Sequence, residues 1–281
     1  MRGIFIAAQL LFITFLASGQ AKSFEVKVTG KGQPIILIPG YSCSGEVWKE
    51  TVAHLQSKYE CHVITLAGYA GVTAIDTPVL KTVKDDLVKY IHEKKLKHII
   101  LMGHSLGAFM SLWVAGEIPA EIDKIICIDG VPAIAAMMNP AINYDSLRRS
   151  PFMNAEMAAN NFKAIPSENY IQNTAKAMLY QVSDSARATQ IATWSSLCDR
   201  KTLGYTIVEI SATDLRPQLK KITCPVLILA STYGTAENSN KIMNEQYANL
   251  PNKKIMVAAS KHFIMYDAPE WMYKQVDEFL K

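Results

Sequence analysis

His98-Ile99-Ile100-Leu101-Met102-Gly103-His104-Ser105-Leu106-Gly107-Ala108-Phe109 is the stretch that decides how this sequence of 281 residues is read. A short apolar run ends in Gly-x-Ser-x-Gly, and a helical pattern follows without a break. Strand, tight turn and helix in that order place Ser105 at the bend. Side chains at positions 103 and 107 would collide with neighbouring elements in so sharp a turn. The bend lifts the Ser105 hydroxyl above the sheet and aims the positive end of the next helix at the same place.

Further apolar runs lie to either side. With His98–Met102 they are Pro34–Ile38, His62–Leu66, Lys124–Ile128 and Val226–Leu229; a sixth, Lys254–Ala258, precedes the last helix. They lack the alternation of a half-exposed strand, which predicts parallel strands buried on both faces. Between them, Leu80, Val83, Leu87 and Ile91 recur at helical spacing. The segment from Leu106 to Gly116 also reads as a helix. Glu270–Leu280 closes the chain, with Asp267 and Pro269 marking its start; capping accounts for Asp267. The alternation of runs and helices predicts an α/β fold with a mostly parallel, doubly wound sheet.

One region breaks the rhythm. From about Pro132 to Pro217 no strand is evident, so residues 132–217 are expected to form a helical insert. Residues 22–131 and 218–281 then form the core. The insert is rich in Met (Met137, Met138, Met153, Met157 and Met178). These side chains suit the wall of an apolar pocket, and equally an ordinary core.

At the start, Arg2 is followed by an apolar run, Ile4 to Ala17, broken only by Gln9 and Thr14, and then by small residues. Residues 1–21 read as a signal peptide cleaved after Gly19 or Ala21. The run is too short to span a bilayer comfortably, though a retained anchor is the alternative. No Cys follows it, which argues against a lipid-anchored form. The expectation is a secreted or periplasmic protein with no stable membrane span after cleavage. Cleavage removes Arg2, so the net charge falls from +4 to +3. That charge is weak and scattered, and argues against a nucleic-acid partner. The five cysteines are an odd number, so at least one is unpaired in a monomer, and sequence does not show whether the others pair. Their spacing fits no metal site, and no nucleotide-phosphate loop or cofactor motif is present; no cofactor is expected.

With these residues in view, the chain resembles the α/β-hydrolase fold superfamily from about Phe24 to the end. Ile35–Ile38 followed by Pro39-Gly40-Tyr41 is similar to the oxyanion strand and loop. Gly103–Gly107 resembles the nucleophile elbow, and Pro225–Leu229 the strand that usually precedes the catalytic acid. Lys261-His262-Phe263 with Asp267-Ala268-Pro269-Glu270 is similar to the histidine loop and last helix. The resemblance makes 132–217 a cap. It also assigns the oxyanion donors to the backbone N–H groups of Tyr41 and Leu106; Tyr41 could instead be a plain aromatic wall.

A serine hydroxyl needs an adjacent base to act as a nucleophile at neutral pH. His262 is the candidate base, in the Ser…acid…His order of the fold. His62 and His98 start strands, His54 and His92 lie in helical patterns, and His104 is expected to pack beside the serine. The acid departs from the common pattern. The position that usually holds Asp is Gly234, and Glu237, three residues later, is the only carboxylate of that loop. Asp129, at the end of the run Lys124–Ile128, is the second candidate, because some members place their acid there. Both satisfy the need for a carboxylate behind the histidine.

The leading expectation is a serine hydrolase that cleaves a carboxylic ester, thioester or lactone through an acyl-enzyme. Its substrate is a small molecule, expected from the insert's composition to carry an apolar acyl or aryl group. Ser at the elbow excludes the Asp-dependent dehalogenases and epoxide hydrolases. A cofactor-free perhydrolase or carbon–carbon bond hydrolase on the same fold is an alternative. A third possibility is a non-catalytic binding protein on a hydrolase scaffold.

Overall fold

The computed structural model describes residues 23–281. The leader read from residues 1–21 lies outside the described residues. Seven strands form one sheet: β1 (Phe24–Gly30), β2 (Gln33–Ile38), β3 (Tyr59–Leu66), β4 (Ile99–His104), β5 (Ile122–Ile128), β6 (Val226–Ala230) and β7 (Lys253–Val257). Their spatial order is β1-β3-β2-β4-β5-β6-β7. Every pairing is parallel except that of β1 with β3. Six strands coincide with the apolar runs. β1 does not; Phe24-Glu25-Val26-Lys27-Val28 alternates apolar and polar residues, as befits an edge strand with one face in solvent.

The helices are α1 (Lys49–Leu55), α2 (Val79–Glu93), α3 (Leu106–Glu117), α4 (Ala135–Met138), α5 (Tyr144–Arg148), α6 (Ala155–Ala164), α7 (Tyr170–Met178), α8 (Ser185–Ser196), α9 (Arg200–Ser211), α10 (Ala236–Gln246), α11 (Ile264–Asp267) and α12 (Pro269–Leu280). Two cores, one on each face of the sheet, explain the continuous apolar runs. Ile36 and Ile38 join one core with Leu80, Leu87, Phe109 and Tyr247; Ile35 and Leu37 join the other with Trp48, Leu55, Met272 and Val276. Successive residues of a strand point to opposite faces, so a sheet covered on both sides needs apolar residues at every position.

Between β5 and β6 the chain forms α4 to α9 and no strand. Within this insert α6 packs against α9 and α7 against α8. The first pair touches at Gly204, where a Cβ would overlap the backbone of Ala158 and Ala159. No helix among the described residues is long and apolar enough to cross a membrane.

Gly204→Val is expected to force α6 and α9 apart. Overpacking of this kind costs about 1–3 kcal/mol, read as a lower urea midpoint. An unchanged midpoint would mean that the two helices do not rely on this close approach.

Candidate active site

The C-terminal ends of β2, β4, β5 and β6 supply most of the site. Ser105 caps the N-terminus of α3 with φ 53° and ψ −116°, a conformation that L-residues rarely adopt. The surroundings compel it. A Cβ on Gly103 would overlap the Gly107 carbonyl, and one on Gly107 would overlap the carbonyl of Ile38. The turn is also tied to the neighbouring strand, since Ser105 N–H donates to the Ile128 carbonyl at 2.9 Å. The outcome is a serine at a strand-to-helix bend, partly exposed in a cavity.

His262 follows β7 in the loop that leads to α11. Its ring Nδ1 lies 2.6 Å from Asp129 Oδ2. A carboxylate only accepts, so Nδ1 carries the proton, and Nε2 is the nitrogen left for proton exchange. Asp129 stands one residue past β5, is 3% exposed, and has a left-handed backbone with φ 43°. The loop after β6 holds the same carboxylate. Ser231 N–H donates to Oδ1 at 2.7 Å, Ser231 Oγ to Oδ2 at 2.8 Å, and the Tyr233 hydroxyl to Oδ2 at 2.9 Å. Burial alone would raise the Asp129 pKa. The hydrogen bonds and charge of His262, with those from Ser231, outweigh burial and hold it below the usual carboxylate range.

The structure therefore brings Asp129, and not Glu237, to His262. Glu237 lies in the first turn of α10, exposed to solvent and off the cavity. A carboxylate there suits the positive end of the helix. Gly234, at the position where the resemblance led us to expect an acid, has φ +77° and faces open space. Asp214 pairs with Arg216 at 2.8 Å. Asp267 does not cap α12. It accepts from the Lys261 N–H at 3.2 Å and from the N–H and hydroxyl of Ser183, tying the histidine loop to the insert.

Ser105 and His262 line the same cavity of about 460 Å³. No hydrogen bond joins the hydroxyl to the ring in this structure; such bonds are often long before substrate arrives. Tyr41 and Leu106 line the cavity beside Ser105. Neither backbone N–H donates to another group among the described residues, so both are available to a ligand oxygen. The Tyr41 ring also has a structural task. It packs edge-on to Tyr69, and its hydroxyl donates to the Leu203 carbonyl of α9 at 2.8 Å.

Of the methionines singled out from the sequence, Met137 lines this cavity and Met178 a smaller one, whereas Met157 is exposed on the surface. All five cysteines are free thiols, four of them buried. Among the described residues no cluster of side chains is placed to hold a metal ion.

Three contributors escaped sequence reasoning. Ser231 and Tyr233 carry hydroxyls in a loop read only for carboxylates. The third is the backbone tie of His104. Its Nε2–H donates to the His262 carbonyl at 3.1 Å, and the two rings sit 4.6 Å apart. His104 is buried, and its Nδ1 has no partner among the described residues. Burial, aided by the nearby His262, lowers its pKa to about 3.

A family model described as the alpha/beta hydrolase fold matches residues 33–269. The chain belongs to the α/β-hydrolase family. Among curated relatives of this hydrolase, a pimeloyl-[acyl-carrier protein] methyl ester esterase of Vibrio atlanticus is 24% identical over 72% of the chain and 76% of the relative. One from Vibrio campbellii is 29% identical over 38% of the chain, a match that spans 41% of that relative. Among solved structures, the enol-lactonase of Burkholderia xenovorans superposes with a TM-score of 0.74 at 16% identity, covering 92% of the hydrolase and 96% of that chain. At that identity the likeness is one of fold alone.

The buried His104 gives a pH test. Its folded-state pKa is depressed below the ordinary value of about 6.5, so unfolding takes up a proton at pH values between that figure and about 3. Its contribution to stability is full above pH 6.5 and shrinks below it by about 1.4 kcal/mol per pH unit. His104→Gln retains a donor for the His262 carbonyl and is expected to make the loss of stability between pH 6.5 and 4.5 shallower by that slope. Parallel slopes for variant and wild type in urea titrations would show that His104 is not held neutral.

Proposed function

We propose that this chain is a serine hydrolase that cleaves a carboxylic ester, thioester or lactone through an acyl-enzyme. One observation carries the reading: a buried carboxylate holds the ring of His262 by Nδ1, and His262 lines the cavity that contains Ser105. Ser105 Oγ attacks the substrate carbonyl as its proton passes to His262 Nε2. The oxyanion that forms is held by the N–H groups of Leu106 and Tyr41. The tetrahedral species collapses, its bond to the alcohol, thiol or ring oxygen breaks, and His262 returns the proton to that leaving group. Water then attacks the acyl-enzyme with the same base and releases the acid. Asp129 remains ionised throughout. It orients the ring and stabilises the imidazolium. The esterase names of the curated relatives agree with this chemistry.

Ser105→Ala is expected to abolish turnover of ethyl acetate and labelling by a fluorophosphonate. Asp129→Asn should lower kcat by about two to four orders of magnitude, because it upsets the tautomer of His262. Glu237→Gln should leave kcat near wild type. A wild-type protein that fails to label would overturn the reading and leave a binding protein on a hydrolase scaffold. A large loss in Glu237→Gln with a mild one in Asp129→Asn would reverse the assignment of the acid.

We also propose that the chain is exported, since residues 1–21 have a basic start, an apolar centre and a small-residue end. N-terminal sequencing of protein recovered from a periplasmic or culture-medium fraction should begin after Gly19 or Ala21. Recovery only from the cytoplasm with Met1 retained would refute export.

A further inference from the structure

Ser105 and His262 are shared by two cavities of very different size. The larger, about 460 Å³, has a wall formed by Val131, Ile134, Met137, Ile207 and Ile210. The smaller, about 80 Å³, lies toward the loop after β2 and is bounded by Cys43, Met178, Ile191 and Phe263. Tyr41 and Gln181 also border both, so the lobes meet at the serine. A bond attacked at Ser105 therefore has one substituent in each lobe. At the roughly 30 Å³ that a water molecule occupies in the liquid, the small lobe takes about three non-hydrogen atoms and the large one about fifteen.

Which side of the ester goes where follows from the order of events. The acyl group is held covalently on Ser105 Oγ while water attacks, and apolar contact along its chain keeps its carbonyl aligned through both steps. The alcohol departs after the first step and needs only space. Cys43, Met178, Ile191 and Phe263 bring no ionised group to the small lobe. Cys43 is fully buried, and Met178 packs on the core that contains Val182 and Ile191. Cys43, Ile191 and Phe263 are buried walls held by packed structure, and Met178 is partly buried.

Building on the serine-hydrolase reading, we propose that the substrates are esters of a one- or two-carbon alcohol with an apolar acyl chain of up to about fifteen carbons, the acyl chain in the large lobe and the alkoxy group in the small one. Ile191 and Met178 set the limit on the alcohol, and Ile207 that on the acyl chain.

The experiment compares kcat/KM for methyl, ethyl, butyl and hexyl octanoate, for octyl acetate, and for ethyl acetate, which is small on both sides. Methyl or ethyl octanoate is expected to exceed butyl octanoate and octyl acetate by tenfold or more. Met178→Ala and Ile191→Ala, made separately so that one folding failure does not end the test, should narrow the gap between butyl and ethyl octanoate by fivefold or more. Ile207→Trp should lower the ratio of methyl octanoate to ethyl acetate by tenfold or more. Octyl acetate equal to or better than methyl octanoate would overturn the proposal, as would indifference to alcohol length, or ratios unmoved in folded variants. If ethyl acetate is hydrolysed while any of these holds, the lobe assignment fails and the hydrolase reading stands. If neither ethyl acetate nor methyl octanoate is hydrolysed and no fluorophosphonate label is taken up, the hydrolase reading itself fails.

Discussion

The site depends on one buried carboxylate and the imidazole bonded to it. Taking Asp129 out of water is costly unless its oxygens are satisfied. Four donors meet that demand: His262, the N–H and hydroxyl of Ser231, and the hydroxyl of Tyr233. Their number explains why the carboxyl stays ionised despite its burial. It also explains the fixed pose of His262, whose ring is held by Asp129 and whose backbone is held by His104. The elbow, the carboxylate and its hydroxyl donors therefore stand at three adjacent strand ends, after β4, β5 and β6, with His262 in the loop after β7.

Much of this was legible in the sequence. The strand–Gly-x-Ser-x-Gly–helix order located the bend, and the glycines prove necessary because carbonyl oxygens crowd both positions. The unbroken apolar runs announced a sheet covered on both faces, which the two cores supply. The edge strand β1 was missed because its alternating pattern is that of a half-exposed strand, and a search for continuous runs passes over it. The partner of His262 could not be read. Asp129 and Glu237 both follow strands that end on the same side of the sheet, and the sequence does not say which carboxylate turns inward. In three dimensions Asp129 is 3% exposed beside the ring, whereas the start of α10 carries Glu237 out into solvent.

The loop after β6 shows how the departure from the common pattern is accommodated. Where an acid was expected, Gly234 turns through open space. The residues before it supply hydroxyls to a carboxylate on the neighbouring strand. The electrostatic arrangement behind the histidine is kept while the chain position of the charge changes. This is why residue type and geometry together identify the site, where spacing from one strand does not.

The helical insert is fastened to both moving parts of the chemistry. The Tyr41 hydroxyl grips the Leu203 carbonyl of α9, and the Phe263 N–H grips the Gln181 carbonyl just past α7. One anchor sits on Tyr41, the proposed oxyanion donor, and the other lies next to His262, the proposed base. Lifting the insert to admit a bulky molecule would drag on both at once and spoil the alignment they maintain. The insert thereby braces the core at the two points that flank Ser105.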